Sequence, residues 1–281
     1  MKKWIWFAAT KEYRSLICTL LVAPLLAASP GRAESVNELL AKAEKGDSAA
    51  QFALAECYAK GNGGVEKSNA VAIEWLRKAA DQGHAEAQAE LGSCYHRGEG
   101  VAQDMATAID WYRKSAAQGC AVGQCNLGVC YAEGQGVKVD YAEAAKLYQA
   151  AAEQGHAEAQ YNLSVCYAKG QGVPQDAEQS FVWKLKAAEQ GMAQAQFNVG
   201  VCLLKGRGTL KNEKKGVEWL RKAASQGYAD AQYNLAVCYN IGAGVARSEA
   251  TALREMQKAA DMGHAQARKI MREYNEWEAG Q

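Results

Sequence analysis

Nine cysteines and four histidines are the residues of this 281-residue chain whose types could do chemistry, as thiolate nucleophiles, disulfide partners or metal ligands. Their spacing argues for something plainer. Cys57, Cys94, Cys130, Cys166, Cys202 and Cys238 fall on one beat, 37 residues for the first interval and 36 for the rest. Residues at equivalent places on successive packed helices lie about 10 Å apart, and a disulfide needs Cα atoms within about 7 Å. These six read as buried thiols acting as small hydrophobes. Cys120 and Cys125 stand outside the beat. Five residues apart, they face different sides of a helix, and Cys125 falls on the side away from the core, where a thiol is reactive. No CxxC is present, and Cys120 with Cys125 lacks a histidine pair at ligand spacing, so neither zinc nor any other cofactor is expected. His84, His156 and His264 recur directly after a glycine and read as structural; His96 stands alone. Gly-x-Ser-x-Gly, Ser-x-x-Lys, His-Glu-x-x-His and a phosphate loop are all missing, and no serine with a lysine partner stands out, so no catalytic residue is expected.

The elements that carry these residues repeat. A glycine ends a helical pattern at Gly46, Gly83, Gly119, Gly155, Gly191, Gly227 and Gly263. Residues 156–190 show the unit. A first helix runs over about 157–169 and stops at Gly170 and Gly172, since helix ends take left-handed glycine. Asp176 caps a second helix, with Gln179 three later as in a capping box, and that helix runs to about Glu189. Asp104, Asp140, Asn212 and Ser248 fill the same cap slot elsewhere. Ala159, Leu163, Cys166 and Tyr167 share about 100° of arc and make the core stripe. Trp75, Trp111, Leu147, Trp183 and Trp219 share one place on the second helix and should pack on that stripe. Gly92, Gly128, Ser164 and Gly200 let helices approach closely. Neither helix buries its apolar face alone; stacked neighbours do so together.

Composition agrees. The chain is 49% hydrophobic, rich in alanine, and holds three prolines, which favours a folded helical protein. Its net charge of +1 is skewed by residues 1–33. Without them 27 basic and 30 acidic residues remain, so no nucleic-acid footprint and no polybasic membrane patch is expected. The N-terminus reads as a signal peptide over 1–33. Lys2, Lys3, Lys11 and Arg14 lead into the apolar run Leu16–Ala28, and Gly31 and Ala33 suit cleavage near Ala33. The other reading, an uncleaved anchor, meets an uncharged stretch that is short for a span and contains Pro24. Ile17 stands where lipidation of Cys18 would want a small residue. A periplasmic or secreted protein without stable membrane insertion is the expectation.

The recurring elements, as in AEAQYNLSVCYAKGQGV…D…W..KAAEQG of Ala157–Gly191, resemble the Sel1-like repeat family, a relative of the tetratricopeptide repeats. The resemblance covers about Gly46 to Ala267 and implies an all-α fold, a right-handed α-α superhelical solenoid of about six repeats. The units are then 47–83, 84–119, 120–155, 156–191, 192–227 and 228–263, with a capping half-repeat over 34–46 and a capping helix over 264–281. Repeat five departs with Gly-Arg-Gly-Thr-Leu and Leu203 for tyrosine, and the last second helix has Glu255 for tryptophan, which implies less regular packing there. Some secreted, cysteine-rich members of the family are penicillin-binding with weak β-lactamase activity. They carry two cysteines per repeat, and the first of that pair is missing here.

On the first helix of each repeat the side opposite the core stripe is not polar. One position reads Phe52, Ala89, Cys125, Tyr161, Phe197, Tyr233, and another Glu56, Ser93, Val129, Val165, Val201, Val237. In the related proteins this side lines a concave groove that takes up peptides. Two uses are therefore open: a groove for a protein or peptide partner, or burial by neighbouring repeats in a tightly curved stack. Asn126, Asn162, Asn198 and Asn234 border the same side and would bind either a partner's backbone or the next repeat. The expected function is a monomeric exported scaffold holding a partner at Phe52, Tyr161, Val165, Phe197, Val201, Tyr233 and Val237 with Asn162, Asn198 and Asn234. The alternative is a weak β-lactamase.

Overall fold

The computed structural model describes residues 34–279. Among them are fourteen α-helices and no strand. The leading helix α1 (Val36–Ala43) and the closing helix α14 (Ala265–Ala279) bracket six antiparallel pairs. The first members, the A helices, are α2 (Ser48–Lys60), α4 (Ala85–Arg97), α6 (Ala121–Glu133), α8 (Ala157–Lys169), α10 (Ala193–Lys205) and α12 (Ala229–Ile241). The B helices are α3 (Asn69–Asp81), α5 (Met105–Ala117), α7 (Tyr141–Glu153), α9 (Ala177–Glu189), α11 (Glu213–Ser225) and α13 (Glu249–Asp261). Each helix packs on the next in the chain, and α4 also touches α6, its counterpart one repeat on. The result is an all-α solenoid.

Local chemistry fixes the boundaries. Every B helix begins on a side-chain cap: Ser68, Asp104, Asp140, Asp176, Asn212 and Ser248 each accept a backbone N–H of the first turn. At Asp176 the partners are the backbone amides of Glu178 and Gln179, at 2.9 and 3.0 Å. Gln179 thus contributes its main chain rather than the side chain a capping box uses; the closed box occurs instead on α1, between Ser35 and Glu38. Each A helix ends in a left-handed glycine, as at Gly170. The second loop glycine has a packing reason as well. A Cβ on Gly172 would sit 1.8 Å from the carbonyl oxygen of Tyr141, so the loop of one repeat lies against the B helix of the repeat before it.

The core is a chain of small clusters, each shared between repeats. One holds Ala144, Tyr148, Ala159, Leu163, Cys166 and Trp183, from the three consecutive helices α7, α8 and α9. Gly92 and Gly128 admit rings: a Cβ there would meet Tyr112 and Tyr148 at 2.8 Å. Repeat five is not looser than the rest. Leu203 is buried in place of tyrosine, and Gly200 and Gly216 face each other, so that a Cβ on either would stand 3.0 Å from the other's carbonyl. Its irregularity is confined to the loop, where Leu210 is 89% exposed.

A ladder of glutamines ties the pairs together. Gln51, Gln88, Gln160 and Gln196 are buried on A helices. Each donates its Nε2 to an alanine carbonyl at the end of the helix before, Ala43, Ala80, Ala152 and Ala188, at 2.9–3.2 Å. Each also accepts at Oε1 from Gln82, Gln118, Gln190 or Gln226, the C-cap of its own repeat's B helix, at 2.6–2.8 Å. Helix ends leave carbonyls without intrahelical partners, and a buried amide pays no desolvation penalty when both its ends are bonded. The ladder meets both demands.

Candidate partner-binding face and the polar groups beneath it

The side of the A helices away from the core stripe is partly committed to the stack. Phe52 stacks on His84 with ring centroids 4.9 Å apart, and Tyr233 on His264 at 4.4 Å and 11°. Phe197 meets Tyr228 at 5.2 Å and is buried. In each case the partner directly follows the glycine that closes the repeat, and so begins the next repeat or, for His264, the closing helix. The histidines have a second duty. Nδ1 of His84, His156 and His264 accepts the backbone N–H three residues on, at 3.3, 3.3 and 3.1 Å, so His84 and His156 cap A helices and His264 caps the closing helix α14. Burial pushes the His156 ring below the usual histidine range, and does so for His264 against the opposing pull of Asp230.

The asparagines split their bonds. Asn198 donates Nδ2 to Tyr161 Oη at 3.1 Å, across one repeat, and to the Gln194 carbonyl at 2.9 Å. Asn126 donates to Ser93 Oγ at 3.2 Å, again one repeat back. Asn234 bonds within its own helix, to the Asp230 carbonyl at 2.8 Å. Asn162 is half-buried, as are Phe52, Tyr161, Val165, Val201, Tyr233 and Val237. Of these, Val201 also packs onto the cluster around Leu220 and Leu235. The face is thus one strip over repeats four to six, with aromatic rings, valines and amides in alternation. In repeats two and three it is closed by Ala89 and Cys125, both fully buried.

Cys125 therefore corrects an expectation. The residue placed on the open side as the reactive thiol is 0% exposed and packs with Ala144 and Tyr148. The cluster that covers Cys125 draws on α7 of its own repeat and on α8 of the next, so the far side of the helix is closed as well as the core stripe. No disulfide joins the eight cysteines among the described residues. Burial pushes the thiols of Cys94, Cys130, Cys166 and Cys238 up to about 11.

A serine with a lysine partner does exist, contrary to the sequence reading. Lys184 Nζ lies 2.8 Å from Ser180 Oγ, one turn away on α9. Lys184 occupies the column that holds Leu76, Tyr112, Tyr148, Leu220 and Met256 in the other repeats, so it is the one charged group in a row of core residues. Burial pushes its amine below the usual lysine range. Yet Ser180 is 2% exposed and donates its hydroxyl to the Ser164 carbonyl at 2.8 Å. The pair satisfies polar atoms at a close helix contact, and burial shuts the Ser180 hydroxyl away from an outside carbonyl.

The shared tryptophan place carries a second regularity. Lys78, Lys114, Lys186 and Lys222 lie over the rings of Trp75, Trp111, Trp183 and Trp219, at 3.8–4.1 Å from the centroids. The four pairs are three residues apart on one helix face, a spacing visible in the sequence. In the last repeat Glu255 replaces the ring, and Lys258 binds its carboxylate at 3.1 and 3.2 Å.

Helix pairs of fixed length, glycine-stopped and stacked through a periodic core, define a Sel1-type α-solenoid, a class commonly used for protein–protein interaction. The Sel1 repeat model matches residues 48–84, 85–120, 121–156, 157–192, 193–228 and 229–264. The chain belongs to the Sel1 repeat family. Among solved structures it is similar to c5321, a protective antigen present in uropathogenic Escherichia coli strains, with a TM-score of 0.75 and 38% identity over 84% of this chain. That match spans 50% of c5321, so the chain corresponds to about half of it. It is also similar to a Sel1 repeat protein from Oxalobacter formigenes, with a TM-score of 0.70 and 31% identity over 80% of this chain and 89% of that one. No curated protein matches.

The expected signal segment 1–33, with Cys18, lies outside the described residues. No helix among those described is long and apolar enough to cross a membrane.

Proposed function

We propose that this chain is an exported, monomeric scaffold that holds a protein or peptide partner along the A-helix strip of repeats four to six. The observation that carries the reading is the strip itself. Tyr161, Val165, Val201, Tyr233 and Val237 are half-exposed over three consecutive repeats, with Asn162, Asn198 and Asn234 beside them. Aromatic rings with a polar end, small apolar side chains and amides are what interface cores favour over ordinary surface. Export rests on the basic, apolar and small-residue pattern of residues 1–33. Phe52 belongs to the stack first and to the strip second, since its ring is taken by His84.

The test is affinity capture from cell extract with the wild type and with the double variant Val165→Glu, Val237→Glu. Both sites are half-buried valines outside the core clusters, so the variant should keep its helical circular dichroism. A partner bound by the wild type and lost with the variant supports the strip. A partner bound equally by both places the function elsewhere on the solenoid.

A further inference from the structure

The loop between the two helices of repeat five differs in charge from its five counterparts. Counted from the last residue of the A helix to the third residue past the B-helix cap, the loops of repeats one to four and six carry net charges of +1, −1, −2, −1 and 0. In repeat five, over 205–215, five basic residues (Lys205, Arg207, Lys211, Lys214, Lys215) stand against one acid, Glu213, which gives +4. The small acidic excess over residues 34–281 conceals this loop, and the expectation of no polybasic membrane patch fails there. Little inside the fold answers the charge. Lys211 Nζ pairs with Glu213 at 2.7 Å, and Glu213 also accepts the Gly244 amide at 3.2 Å. Lys205, Arg207, Lys214 and Lys215 are exposed, and among the described residues none of their side chains has an ion pair or hydrogen bond. Glu178, beside Gly208 at the start of α9, is the other acid close to the loop.

Apolar side chains stand out at the same place. Leu210, at 89%, is the most exposed large hydrophobic among the described residues. Its column holds Glu66, Ala102, Lys138, Pro174 and Ala246 in the other repeats. A Cβ on Gly206 would stand 3.4 Å from that of Lys211, so the loop is closed at its base. Gly208 is turned inward against the Ala177 carbonyl, and Leu210 is turned out. Ile241, 65% exposed, takes on α12 the place of Lys205 one repeat back, about 10 Å away by ordinary helix packing. Beside the loop an open cleft of about 640 Å³ is lined by Lys211, Asn212, Glu213, Lys214, Gly244 and Val245 among others.

Charge complementarity asks for an anionic partner, and the residue types choose its kind. Interfaces with folded proteins favour aromatic rings and arginine and are poor in lysine, and a fixed carboxylate is best met by the arginine fork. Here four of the five cations are lysines, flexible point charges, and the aliphatic side chains beside them protrude. That combination fits a surface that is diffuse in charge and apolar just beneath. Clusters of about four to eight basic residues are what an anionic leaflet attracts, and lysine stems lie along apolar material with their heads in the polar layer. We propose that the loop of repeat five docks the solenoid on the surface of an anionic phospholipid bilayer. Leu210 and Ile241 enter the interface, and the cleft gives headgroup phosphates access to the amines of Lys211 and Lys214. The docking surface spans nothing and is separate from the A-helix strip.

The test is cosedimentation with vesicles of residues 34–281, the form left by cleavage near Ala33, in which 35–281 are one compact unit. Mixed vesicles of phosphatidylglycerol and phosphatidylcholine should bind it, vesicles of phosphatidylcholine alone should not, and high salt should release it. Lys214→Gln and Lys215→Gln should each weaken binding about 5-fold. Leu210→Ser should weaken it ~10-fold at unchanged charge, a loss that mere attraction of a basic loop would not show. All three sites are exposed, so the melting temperatures should hold. Equal binding to the two kinds of vesicle, or full binding by Leu210→Ser, would overturn the proposal. So would soluble polyglutamate that binds the protein and is not displaced by phosphatidylglycerol vesicles, since the loop would then belong to an acidic polypeptide.

Discussion

The side-chain amide of Gln190 donates to the side-chain oxygen of Gln160 at 2.8 Å, and Gln160 passes the chain on to the Ala152 carbonyl at 3.2 Å. Three helices, α7, α8 and α9, are joined by two side chains. A periodic apolar core fixes how far apart helices lie but tolerates sliding; a buried amide bonded at both ends does not. Gln160→Leu should therefore cost about 1–3 kcal/mol, the penalty of leaving buried polar partners unmet. Gln179→Leu, at an exposed helix position, should change stability by under ~0.5 kcal/mol. Urea denaturation of the two variants checks the contrast.

Acid should loosen the stack. The folded protein holds His156 and His264 below the usual histidine range, since burial disfavours the imidazolium and Nδ1 is already occupied as an acceptor. The unfolded chain thus binds these protons more readily. The stabilisation is complete above the unfolded value near 6.5 and is lost as pH falls through it toward the folded values. Melting temperature should drop between pH 7.5 and 5.5, and His156→Asn, which keeps a cap acceptor without a titrating ring, should flatten the drop.

Lys184 is a cost the fold bears. Lys184→Met restores the apolar character of its column and should stabilise the protein by about 1 kcal/mol, because a desolvated amine is replaced by a packed side chain. A loss of stability in thermal unfolding would mean instead that the bond to Ser180 outweighs the desolvation.

Thiol labelling should follow burial. Cys125, Cys130, Cys166 and Cys238 are buried, and for the last three burial also raises the thiol to about 11, so little thiolate is present at neutral pH. Iodoacetamide at pH 8 should leave all four unmodified in the native protein and label them promptly in urea, as read by peptide mass. Native labelling of Cys125 would contradict its place between α6 and α7.

Much of this was open to sequence reasoning because each repeat restates it. The glycine beat, the B-helix caps and the leucine-cysteine-tyrosine stripe, which only repeat five alters, fix the helix pairs without reference to tertiary contacts. The histidines after the glycine read as structural for the same reason, although their cap bonds needed coordinates. The glutamine ladder was hidden, since its partners lie about 30 residues apart and only the helix crossing brings them together. Cys125 was misplaced because a helical wheel drawn for one helix does not show that α7 and α8 together close over it. Lys184 and Glu255 left a signal, each a charge in a column that is otherwise apolar, visible once the repeats are aligned by position rather than scanned for motifs. The partner strip was named by chemistry, but the wheel could not show that Phe197 is buried or that Phe52 and Tyr233 rest on histidines.

The most direct test of the strip is site-specific photocrosslinking in the source cells, with p-benzoylphenylalanine at Val165 and, as a control, at Val182, an exposed position on α9. A defined protein adduct from Val165 that is missing from Val182 is the result expected of a partner held along the A helices. An adduct from Val182 alone, or the same adduct from both, would contradict it.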